Sequence, residues 1–162
     1  MMGTCPLCGA KTGSEESCRN VYFGEVLTRE GTSPDTYGAV HLLTVDCYAL
    51  QHSEAHSPRS NALHLLRLCW LLFCHGDPDI LQKEKGPFPY IMQKYYRGFP
   101  ELKAPPAGAR GSMTVLDVYN AKDPEEHKAL SYDWGRSVWD AYATHHAWVR
   151  QMLANAGVKA EF

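Results

Sequence analysis

Between Ala62 and Cys74 only His64 and Arg67 interrupt a run of apolar side chains. A segment that is apolar on nearly every side has no face to give to water, so it predicts a helix at the middle of a bundle, centred on Leu63–Cys74. Its longest uninterrupted stretch, LCWLLFC at 68–74, is seven residues. That is far short of the ~20 residues needed to span a bilayer. The rest of the chain must supply helices to cover this one, and it has the means. In 162 residues it carries 44% hydrophobic and 21% charged side chains, with nine Tyr, five Phe and four Trp to bury. That balance suits one folded domain, 1–162, and excludes disorder for most of the chain.

The covering helices are legible from caps and spacing. Ser14 before Glu15 and Glu16 reads as a helix start, and Cys18, Tyr22 and Val26 give it one apolar side up to about Gly31. After Pro34, Val40, Leu43, Cys47 and Leu50 recur at three- and four-residue spacing as a buried helix face does. Ser57-Pro58 or Ser60 opens the central helix. The segment 86–112 holds five Pro and four Gly, and is expected as a long irregular connection wrapped outside, with at most two helical turns over Ile91–Tyr96. Ser112 or Thr114 caps a short helix through Val118. Asp123 with Pro124 at the first helical position starts a last helix running to about Asn155, with Gly157 as its stop. Period-2 alternation is absent, so the expected fold is all-α: a bundle of four to five helices behind an N-terminal zinc-knuckle-like loop at 1–14.

That loop carries the sharpest chemical signal. Cys5-Pro6-Leu7-Cys8-Gly9 sets two thiols two residues apart with a glycine freeing the turn, a pattern that grips one tetrahedral Zn²⁺. Cys18 is a third ligand at the start of the first helix. The fourth is expected from the histidine-rich stretch after the second helix, His52 first and His56 second. A redox CxxC is the rival reading, but such a motif follows a strand and opens a helix, and neither surrounds it. Cys47, Cys69 and Cys74 lie on apolar helix faces, where Cys packs as a small hydrophobe.

Histidines supply the second candidate site. His41 and His52 point to the same side of a helix within ~20° but ~16 Å apart. On a continuous last helix His145 shares the inward stripe of Val138, Ala141, Tyr142, Val149 and Met152, with His146 beside it. His145 is therefore expected to approach His41 or His52 in a buried polar cluster, with His41, His145 and His146 as the catalytic candidates. Asp46 is read as facing solvent and His127, in the acidic DPEEH start, as exposed.

These pieces together resemble a family of uncharacterised, mainly bacterial proteins known only as a domain of unknown function. The blocks that carry the resemblance are CPLCG with Cys18, YGAVHLLTVDCYALQH at 37–52, GSMTVLDVYNA at 111–121 and DWGRSVWDAYATHHAWVR at 133–150. It implies that His41, Gln51, His52, His145 and His146 lie in recurring blocks. A looser similarity is to DinB-like bundles, which implies four helices and a divalent metal held by three His. Here His145 and His146 are adjacent where those bundles have HxxxH.

Two functions follow as expectations. One is a zinc-binding helical protein with a structural knuckle; the other is a DinB-like metal-dependent hydrolase or transferase using His41, His145 and His146. With 16 Lys+Arg against 18 Asp+Glu and a net charge of -2, the chain lacks the basic surface that nucleic-acid binding requires. No export signal or membrane segment is read at the start, and six Cys without one point to the cytosol. A small molecule, a protein partner and a homodimer all stay open.

Overall fold

The computed structural model describes residues 3–81 and 86–159; Met1 and Met2 of the knuckle segment lie outside them. Among the described residues the regular structure is helical, with no strand. None of these helices is long and apolar enough to cross a membrane.

The first helical segment is continuous but not uniform: α1 (Glu15–Asn20) passes through a π-helical stretch, Val21–Val26, into α2 (Leu27–Thr32). Ser14 caps it by accepting from the Ser17 amide. The π stretch matters for which side chains turn inward. Cys18, Tyr22, Val26 and Glu30 are spaced by four, and all are buried. In an α-helix a four-residue repeat swings round by about 40° per step. The wider i→i+5 turns take that drift back, holding all four on one face.

A 3₁₀ turn, Tyr37–Val40, leads into α3 (His41–Gln51). Next come a 3₁₀ turn at Ser53–Ala55 and the central helix α4 (Pro58–Phe73), capped by Ser57 with Pro58 in its first turn. The Pro/Gly-rich connection holds α5 (Phe88–Lys94) and a 3₁₀ turn, Tyr96–Gly98. Ile91, Phe99, Leu102 and Arg110 of this connection are buried, so it seals part of the bundle as well as wrapping it. Thr114 and Asp117 form a capping box on α6 (Val115–Tyr119), and Asp123 caps α7 (Pro124–Ala141).

The expected single last helix is in fact two. α7 stops at Ala141, a 3₁₀ turn occupies Ala143–His145, and α8 (His146–Asn155) follows. The tighter turn breaks the 100° register on which the inward placement of His145 depended.

The core lies where α3, α4 and α7 meet, with α8 closing α4 and α6 packing on the first segment. Leu43, Leu50, Leu65, Leu66, Leu68, Trp134, Val138 and Tyr142 are all solvent-excluded there. Gly135 permits the approach of three helices, because a Cβ at this position would lie 3.1 Å from both Leu43 Cδ1 and Leu72 Cδ2. Cys47 and Cys69 are core residues as expected, their thiol pKa values pushed up by burial.

Candidate metal centre

Four side chains from three segments converge at the N-terminal edge of the bundle. Cys5 and Cys8 come from a tight loop in which the Gly9 amide donates to the Cys5 carbonyl and the Cys5 amide to that of Ala10. Gly9 has φ +81°, a left-handed conformation that costs a glycine nothing. Cys18 comes from the first turns of α1. His52 comes from the residue just past α3, where the helix has ended and the backbone turns (φ -118°, ψ 48°). All four are buried, and their ligand atoms lie within 4.8 Å of one another.

The distances match one ion. Zn–S of about 2.3 Å and Zn–N of about 2.05 Å at a tetrahedral angle give S···S edges near 3.8 Å and S···N edges near 3.5 Å. The structure has Cys8 Sγ–Cys18 Sγ at 3.6 Å, Cys18 Sγ–His52 Nε2 at 3.5 Å and Cys5 Sγ–His52 Nε2 at 3.6 Å. His52 is also in the right tautomer. Its Nδ1 donates to the Tyr48 carbonyl at 2.9 Å, which leaves Nε2 with a lone pair aimed at the thiols. The ring is held in that orientation by a column of aromatics, Tyr48 stacking on it at 3.9 Å and Tyr22 on Tyr48 at 4.2 Å.

Electrostatics point the same way. The hydrogen bond from Cys18 holds the Cys8 thiol down at about 4, while the same contact pushes Cys18 up and burial pushes Cys5 up. Without a cation the pocket therefore accommodates one thiolate and keeps the other two protonated. A divalent ion would displace those protons and offset two of the three thiolate charges. Among the described residues this is the one group of three or more Cys, His, Asp and Glu arranged to hold a metal ion.

The three histidines expected to be catalytic take separate partners. His41 Nδ1 donates to Glu30 at 3.1 Å. His145 Nε2 donates to the Lys103 carbonyl at 2.8 Å, on the 3₁₀ turn rather than on a helix face. His146 Nε2 donates to the Trp139 carbonyl at 2.8 Å, its ring stacked on the indole at 3.6 Å. Each of the three expected catalytic histidines thus has its own local bond.

Two buried carboxylates hold the polar interior, and neither was expected. Glu30 is fully buried; it accepts from Thr44 Oγ1 at 2.7 Å, from His41 and, at 3.1 Å, from His127 Nε2. Arg29, which can only donate, lies 3.4 Å from His127 Nδ1, so the proton of that ring sits on Nε2 facing Glu30. His127 is therefore a core residue, not an exposed one. Its place on the buried stripe of Ser131, Trp134 and Val138 was the available signal. Asp46 is also buried rather than solvated: Arg67 grips it through Nε at 2.8 Å and Nη2 at 2.7 Å, and His64 Nδ1 donates at 2.7 Å. His64 and Arg67 are the two polar interruptions of the apolar central helix, and a shared acid explains both.

A family model matches residues 3–143, that of a family of unknown function, DUF5946. No curated protein matches the chain, and no solved structure matches it.

Proposed function

The chain belongs to DUF5946, a family of unknown function, and we propose that it is a zinc-binding helical protein in which Cys5, Cys8, Cys18 and His52 hold one structural Zn²⁺. The observation that carries this reading is the buried set of three thiols and one imidazole, whose ligand atoms all lie within 4.8 Å of one another, with three of the six edges at 3.5–3.6 Å. Three thiolates and one imidazole suit Zn²⁺, and four protein ligands leave no position for substrate, as in structural rather than catalytic sites. The ion would tie the N-terminal loop and α1 to the end of α3, adding to the aromatic column that already joins the first helical segment to α3. Unpaired thiols, including three at the centre, suit a reducing compartment such as the cytosol.

Elemental analysis of the purified full chain is the test. One zinc per chain is expected, falling towards zero in Cys8→Ser and Cys18→Ser. Full zinc retention in both variants, or an ion other than zinc in the native protein, overturns the proposal.

A further inference from the structure

A second metal position emerges from the residues that the buried Asp46 orients. His64 donates its Nδ1 proton to Asp46 at 2.7 Å, and Asp46 is itself locked by both guanidinium contacts of Arg67. This is the arrangement that proteins place behind a metal-binding imidazole: a carboxylate fixes the tautomer and leaves Nε2 as the lone-pair donor. Among the described residues no group bonds Nε2 of His64. Beside this ring lies that of His56, an exposed side chain with no hydrogen-bond partner among the described residues, on the loop between the Ser53–Ala55 turn and α4.

The spacing of the two rings fits an ion. A metal about 2.1 Å from each nitrogen lies about 3.2 Å from each ring centre, so two imidazoles at a tetrahedral angle have centres about 5.2 Å apart. Those of His56 and His64 are 5.3 Å apart with planes tilted by 54°. His56 also lines a cavity of about 350 Å³, together with Glu15, Arg19, Phe23, Tyr48 and His52. The cavity leaves room for water or a small ligand on the His56 side, and His52 of the thiol cluster forms one of its walls.

We propose that His56 and His64 form an open, exchangeable site for a late first-row divalent cation, with Asp46 as the positioning residue behind His64 and water in the remaining positions. Imidazole donors select this class of ion. Two protein ligands, and the cation of Arg67 behind Asp46, make the site weaker than the closed centre. It differs from that centre in kind: it has vacant coordination positions, as catalytic and ligand-binding metals do.

The test is Zn²⁺ titration of the full chain already carrying its tightly held ion, followed by calorimetry and by imidazole ¹⁵N spectra. The expected result is one further Zn²⁺ per chain in the micromolar range, removed by a weak chelator with no change in helical circular dichroism. His64 Nε2 shifts on binding while Nδ1 stays protonated. His56→Ala and His64→Ala each weaken uptake about tenfold or more. The His56 side chain makes no hydrogen bond among the described residues and its backbone bond to Ser53 does not need the imidazole, so its variant keeps the fold and decides the matter if His64→Ala does not fold. Uptake that stays at the first ion, or a second ion bound as tightly by His56→Ala, overturns the site. Neither variant touches the four ligands of the first centre, so the two proposals fail separately.

Discussion

The N-terminal edge and the middle of the bundle face the same difficulty, buried titratable groups, and solve it with different chemistry. At the edge, three thiols and an imidazole crowd within 4.8 Å with no cationic side chain among them. In the middle, Glu30 is matched by Thr44, His41 and His127, and Asp46 by Arg67 and His64, all from the chain itself. A buried carboxylate needs donors, and imidazole, hydroxyl and guanidinium supply them. A group of thiols can pass a proton between its members but cannot cancel more than one negative charge. The first region thus presents a donor set that could hold an ion from solution; the second is complete when the chain has folded. The same imidazole chemistry serves both: His52 gives its lone pair to the thiol cluster, whereas His41, His64 and His127 give their protons to acids.

The largest effect should come from stripping the edge of its ion. Structural zinc contributes folding free energy outright. A loss of about 5 kcal/mol corresponds to a fall of roughly 10–20 °C in melting temperature for a domain of this size. Thermal melts with and without a strong chelator check it. Acid should act in the same direction, because the ligands must be deprotonated: metal affinity falls as pH falls, down to the region near 4 where Cys8 itself takes up a proton. An unchanged melting temperature after complete metal removal would break the contrast between the regions.

Next in size is Glu30→Ala, which leaves His41, Thr44 and His127 without their shared acceptor. Breaking a buried pair of this kind costs about 3–5 kcal/mol, read as a lower urea midpoint at unchanged slope. Zinc content should stay the same, since the middle does not depend on the ion. A cost below about 1 kcal/mol, or loss of zinc with the acid, would show that the two regions are not separate.

The smallest effect belongs to a pair at the rim. Arg110 is buried and binds both the Gln51 carbonyl and Glu54, but the Glu54 side chain is 52% exposed. The hydrogen bond from Arg110 holds the Glu54 carboxyl below its usual value of 4.5. Its contribution is therefore present above pH 4.5 and disappears as pH falls through the lowered value. Because Glu54 faces water, Glu54→Gln should cost less than about 1 kcal/mol near neutral pH and flatten this acid-side dependence. A cost equal to that of Glu30→Ala would place the rim and the interior in one class.

Spacing and capping were enough to locate most elements. Ser14, Ser57, Thr114 and Asp123 cap the helices they were expected to cap, since the signal is local: one side chain bonding an amide two or three residues on. The thiol donors were legible because CPLCG is itself a loop geometry, and His52 because a three-thiolate set needs a closed fourth position.

The polar interior was decided elsewhere. Along a regular α-helix Glu30 would sit about 120° round from Cys18; only the π-helical stretch turns it inward, and π turns leave no pattern in composition. His145 was assigned to an inward stripe that the 3₁₀ turn after Tyr142 interrupts. Asp46 looked solvated because its partners, His64 and Arg67, lie on another helix. What the amino-acid sequence determined by itself was an all-helical chain with an apolar central helix and a cysteine loop fit for a metal, because periodicity, caps and ligand spacing act over a few residues. Which acids are buried and which histidines face thiol, carboxylate or carbonyl was settled by tertiary structure, because a hydrogen bond is fixed to within a few tenths of an ångström, and helix register and packing alone set positions that finely.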